Sequence, residues 1–103
     1  MDKVMQLASE KGVMIFSKSS CCMCYAVKFL FQELGVRYDC YDIDLDLDSR
    51  EMEKALLRLG CNAHAPVPAV FVGGKLIGST NEVMSLHLSG LLLQKIKPYQ
   101  TLS

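Results

Sequence analysis

Apolar and polar residues alternate along this chain in short runs whose spacing changes from one segment to the next. Val4, Leu7 and Ala8 fall on one helical face, and Gly12 ends that segment. Val13–Phe16 is a continuous apolar run of strand length that passes into the polar stretch Ser17-Lys18-Ser19-Ser20. Helical spacing returns with Ala26, Phe29, Leu30 and Leu34, and Gly35 predicts the stop. Val36, Tyr38, Cys40 and Tyr41 alternate imperfectly as far as Ile43, which predicts a second strand. Ser49 reads as the N-cap of a helix that carries Leu56 and Leu57 and stops at Gly60. The stretch PAVFVGGKLIG, residues 68–78, predicts a hairpin turning at Gly73-Gly74. Ser79 stands three residues before Glu82, a capping-box spacing that opens a final helix running to Ile96.

The order helix, strand, helix, strand, helix, strand, strand, helix predicts an α/β fold. Strand–helix–strand units imply a parallel pair, and the hairpin adds antiparallel strands. The expected architecture is a four-stranded mixed sheet flanked by helices, with one domain over residues 1–103.

Composition narrows the function classes. Half of the 103 residues are hydrophobic and formal net charge is zero, so one core is expected and a basic nucleic-acid surface is not. Asp39, Asp42, Asp44, Asp46 and Asp48 read as a solvated strand end and loop, since the run lacks the glycine and closing glutamate of a calcium loop. The first residues lack the apolar run of a signal peptide, and no segment approaches the roughly 18 apolar residues of a membrane span. The expected compartment is therefore reducing, cytoplasm or nucleus. There, closely spaced cysteines point to catalysis or metal binding rather than to structural disulfides.

The five cysteines carry the chemistry. Cys21, Cys22 and Cys24 crowd the junction between the first strand and the following helix. A helix start offers free N–H groups and a positive dipole end, and Lys18 adds a charge, so a thiolate on Cys21 is favoured. Cys24 follows at i+3, within reach as a more buried resolving thiol. Cys22 reads as a solvent-facing thiol that modulates the pair. Cys40 is expected to be buried in its strand, and Cys61 to be structural or incidental. Cys40 and Cys61 do not make the second close pair that a four-cysteine zinc site needs. His64 and His87 lack neighbours that would make them ligands or bases. Val67-Pro68 directly precedes a strand; a cis bond there would set the Val67 backbone beside Cys21, ready to pair with a peptide-like partner. The helix start after Gly78 is an anion-binding place where Thr80 and Asn81 could grip a carboxylate.

The stretches CCMC, VPAVFVGG and LIGSTNEV together resemble the glutaredoxins, more narrowly their land-plant CC-type class, over roughly residues 3–97. The resemblance implies a thioredoxin-like fold and glutathione-dependent thiol–disulfide exchange on glutathionylated or disulfide proteins. It implies Cys21 as nucleophile and Cys24 as resolving cysteine. It also implies Lys18 at the glycyl carboxylate of glutathione, Val67 and Pro68 along its cysteinyl backbone, and Thr80 and Asn81 at its γ-glutamyl end. Three positions depart from the family pattern. Cys22-Met23 replaces proline and tyrosine in the motif, Pro66 replaces a threonine after a lengthened loop, and Asn81 replaces an aspartate.

The CC-type resemblance further implies a TGA-type bZIP transcription factor as partner, through a Leu-x-x-Leu-Leu element matched by Leu88, Leu91 and Leu92. By spacing alone those leucines are as well suited to the core. Many class members recruit a corepressor through an Ala-Leu-Trp-Leu tail; this chain ends KPYQTLS and contains no tryptophan, so that role is not expected. Two other functions remain open at this point. One is a regulatory binding module for a bZIP factor with little turnover. The other is an iron–sulfur site with Cys21 and glutathione thiols as ligands.

Overall fold

A computed structural model describes residues 3–10, 12–19, 22–60 and 67–99. The chain runs α1 (Lys3–Glu10), β1 (Val13–Ser17), α2 (Cys22–Glu33), β2 (Asp39–Asp42), α3 (Ser49–Arg58), β3 (Ala69–Val72), β4 (Lys75–Gly78), α4 (Thr80–Ser89) and α5 (Leu91–Ile96). Short 3₁₀ turns follow β2 at Ile43–Leu45 and α5 at Lys97–Tyr99.

The four strands lie in the order β2-β1-β3-β4. β1 runs parallel to β2 and antiparallel to β3, and β3 is antiparallel to β4. Because β1 is internal and covered on both faces, it reads as an unbroken apolar run, and every residue of it is buried. Its side chains alternate between two core layers. Met14 and Phe16 join Val4 and Ala8 of α1, Met52 and Leu56 of α3, and Phe71 of β3. Val13 and Ile15 join Val27 and Phe31 of α2, Val83 of α4, and Leu92 and Ile96 of α5. Phe16 meets Phe71 edge-on at 5.5 Å between ring centres, an arrangement that suits the charge distribution of aromatic rings. The result is the expected thioredoxin-like fold, a mixed sheet between helices.

Four local expectations change. The second strand is only Asp39–Asp42, because Val36 is drawn into the core and its N–H bonds Phe31 O at 3.0 Å. α3 is capped at Asp48 rather than Ser49, since Ser49 already takes part in the first turn. The final helix is broken in two at Gly90, whose φ of 81° lies in the left-handed region. Ser79 does precede a helix, but its hydroxyl bonds the Glu82 carboxylate at 3.1 Å instead of a backbone N–H.

α1 is tied down by charge as well as packing. Lys3 Nζ lies 2.6 Å from Asp46 Oδ2, and the Tyr41 hydroxyl donates to the same oxygen. The Asp48 N–H donates to the other oxygen at 2.8 Å. The hydrogen bonds from Lys3, Tyr41 and the Asp48 backbone lower the Asp46 carboxyl from the ordinary 3.8 to about 2. A carboxylate depressed in the folded state stabilises it fully above the unfolded value and stops doing so as pH falls through the folded one. Thermal unfolding from about pH 4 down to about pH 2 should therefore fall more steeply for the parent protein than for Asp46→Asn. Parallel curves would show that the Lys3–Asp46–Tyr41 cluster contributes nothing.

Candidate active site

The strand register brings Lys18, Val67-Pro68 and the start of α4 to one end of the sheet. Phe16 pairs with Ala69 in the antiparallel β1–β3 ladder, so the chain leaving β1 toward Lys18 runs beside the chain entering β3 from Val67-Pro68. β4 pairs Gly78 with Val70 and delivers the start of α4 to the same end. α2 begins there too, directly after the β1 loop. Gly78 lets α4 start close to the strand: a Cβ on it would stand 2.5 Å from Glu82 Cβ.

The peptide bond between Val67 and Pro68 is cis, the isomer that the residues alone left open and the family resemblance implied. Both residues are buried, and Val67 belongs to the core cluster that holds Phe16 and Ala69. Cys24 is 1% exposed and belongs to the same apolar cluster as Val67 and Ala69. The Cys24 thiol is therefore enclosed by apolar side chains rather than open to solvent. Thr80 is the first residue of α4; its Oγ1 is buried and has no hydrogen-bond partner among the described residues. An orphaned hydroxyl at a helix start is costly unless a ligand or water engages it. Asn81 is exposed and, with Ile77, Glu82, Ser85 and Leu86, lines a shallow groove of about 470 Å³.

The loop after β1 is held by two acids that sequence reasoning passed over. Lys18 Nζ sits 2.5 Å from Glu53 Oε1 on α3. The Ser19 N–H and hydroxyl donate to Asp44 at 3.1 and 2.7 Å. These two bonds from Ser19 are the main cause that lowers the Asp44 carboxyl below its ordinary range, and Lys18 adds to it. Only the tertiary fold brings Asp44 and Glu53 to the loop; in the chain they belong to an acidic run and an unremarkable helix.

Other expected site residues are placed differently or lie beyond description. Cys21, Cys61 and His64 fall outside the described residues, as does Pro66. Cys22 opens α2 by its backbone. Cys40 is in β2 as expected, yet it is exposed, because β2 is an edge strand that α2 covers incompletely. Its Sγ lies 3.2 Å from Ser17 Oγ. His87 is exposed near the end of α4. The leucine element is divided by the break at Gly90. Leu88 and Leu91 are exposed, whereas Leu92 is fully buried in the core, so the three do not share one face. Among the described residues no three Cys, His, Asp or Glu side chains converge to hold a metal ion.

A mixed sheet between helices, with a cis-proline beside a strand–helix junction rich in cysteine, defines the thioredoxin-like class. The glutaredoxin family model matches residues 13–77. Glutaredoxin-C13 of Arabidopsis thaliana is 68% identical over 99% of this chain and 98% of its own length. Monothiol glutaredoxin-S9 of the same plant is also 68% identical, over 97% and 96%. The crystal structure of the buckwheat glutaredoxin–glutathione complex superposes with a TM-score of 0.84 at 36% identity, covering 93% of this chain and 86% of that one. The chain belongs to the glutaredoxin family.

Proposed function

We propose that the protein is a CC-type glutaredoxin, a glutathione-dependent thiol–disulfide oxidoreductase in which Cys21 is the nucleophile and Cys24 the resolving thiol. The observation that carries this reading is the sheet end itself: the α2 start, the cis Val67-Pro68 peptide and the unpartnered Thr80 hydroxyl lie together there. Likeness to the buckwheat glutaredoxin–glutathione complex supports glutathione as the ligand.

Each part has a task. The α2 start supplies N–H groups and a positive dipole end to a sulfur anion on Cys21. The Val67 backbone pairs with the cysteinyl part of glutathione as a strand edge pairs with a peptide. Thr80 Oγ1 and the free N–H groups of α4 receive the γ-glutamyl carboxylate. Cys21 attacks the glutathione sulfur of a glutathionylated protein, so a new S–S bond forms as the old one breaks. The substrate sulfur leaves as a thiolate and takes up a proton. A second glutathione thiolate then attacks the bound glutathione sulfur, releasing oxidised glutathione and restoring Cys21. Alternatively Cys24 attacks Cys21, which releases glutathione and leaves a protein disulfide. Similarity to a relative named monothiol supports the first route as sufficient. Initial rates with glutathione and a glutathionylated peptide test the reading, and a parent protein without measurable turnover would overturn it.

The same reading gives a TGA-type bZIP factor as a partner in cytoplasm and nucleus. The exposure of Leu88 and Leu91 supports a docking role for those two alone.

A further inference from the structure

A cation that is meant to receive a ligand's carboxylate already has one. Lys18 Nζ and Glu53 Oε1 are 2.5 Å apart, with side chains 34% and 37% exposed. The pair is close enough for a charge-assisted hydrogen bond and wet enough to open. Glu53 comes from α3, a helix anchored in the core by Met52, Ala55 and Leu56 on its buried face. It is thus presented to the loop by a fixed element. On the neighbouring residue of the loop, Asp44 holds both the N–H and the hydroxyl of Ser19. Two carboxylates therefore flank the segment on which an anionic ligand would land. An arriving carboxylate must take Lys18 from Glu53, and afterwards it stands near a displaced like charge.

We infer that Glu53 competes with the carboxylate of the incoming thiol for Lys18, occupying Lys18 in the ligand-free protein and weakening binding of anionic thiols at this site. The inference rests on the proposed glutathione reading and makes Glu53 a specificity-determining residue. A thiol partner without a carboxylate at that place does not need to open the pair. Glu53 thereby shifts the site's preference from free glutathione toward protein thiols.

Calorimetry with S-methylglutathione, which binds without thiol exchange, and with its glycine amide tests this on the full chain. Glu53→Gln should bind S-methylglutathione about three- to fivefold more tightly, the scale of one half-exposed ion pair. Binding of the glycine amide should not change. In a Lys18→Met background the gain from Glu53→Gln should shrink to the small part that comes from like-charge repulsion, since competition for Lys18 is gone. An unchanged affinity, an equal gain for the amide, or a gain undiminished in Lys18→Met would each overturn the inference. If neither the parent nor Glu53→Gln binds S-methylglutathione, the glutathione reading itself fails and this inference with it. Unfolding curves of Glu53→Gln matching the parent show that any change arises at the site.

Discussion

Changing Cys21 to serine should reduce glutathione-dependent exchange by at least about a thousandfold, the scale of removing a catalytic nucleophile. A serine hydroxyl is not ionised near neutral pH, and neither a helix start nor a lysine makes it a sulfur anion. Cys24→Ser should behave differently. Cys24 is buried in the cluster with Val67 and Ala69, a poor place from which to meet a substrate first, and in the proposed mechanism it serves only to resolve a disulfide on Cys21. Its loss should leave the route through a second glutathione intact and remove only the route through a protein disulfide. Initial rates for Cys21→Ser, Cys22→Ser and Cys24→Ser with a glutathionylated peptide separate the roles. Loss of activity in Cys22→Ser with retention in Cys21→Ser would move the nucleophile by one residue.

Leu92→Ala should destabilise the fold by about 2–5 kcal/mol, the cost of emptying a fully buried leucine site. Leu92 is 0% exposed and packs with Ile15, Val27, Phe31, Val83 and Ile96. Leu88, at 86% exposure, loses little contact on truncation, so Leu88→Ala should stay within about 0.5 kcal/mol of the parent. Urea unfolding of the two variants checks the contrast. The same proteins test the docking proposal. Leu88→Ala and Leu91→Ala should weaken binding to a TGA-type factor at unchanged stability, whereas Leu92→Ala should lose binding only in proportion to unfolding. Equal stability loss in Leu88→Ala and Leu92→Ala would contradict the division of the element at Gly90.

Local signals fixed in a few adjacent residues were the ones the sequence exposed. Val13–Phe16 reads as a central strand because burial on both faces demands an apolar residue at every position. The hairpin reads from Gly73-Gly74 and the flanking apolar runs; the turn sets the pairs Val72–Lys75 and Phe71–Leu76, and a register shift then brings Val70 opposite Gly78. CCMC and VPAVFVGG mark the active end because each needs only its own neighbours to be legible. What stayed hidden depends on residues far apart in the chain. Lys18 and Glu53 meet only when α3 is laid against the first core layer. Cys40 looks like a core residue by its place in the Val36, Tyr38, Cys40 alternation, yet it is exposed on β2, an edge strand. Leu88, Leu91 and Leu92 form one stripe on an ideal helix, and a single left-handed glycine turns that stripe into a surface pair and a core residue.

β2 and β4 each have one edge that pairs with no strand among the described residues, a standing invitation to add a strand from another molecule. A protein of zero net charge has no overall repulsion to keep such edges apart. The protection is instead local. β2 carries Asp39 and Asp42 within four residues, and β4 opens with the exposed Lys75 and closes against the Glu82 side chain. Resistance to strand addition therefore rests on a few charges at two edges, and redesign of this scaffold must leave those edges charged.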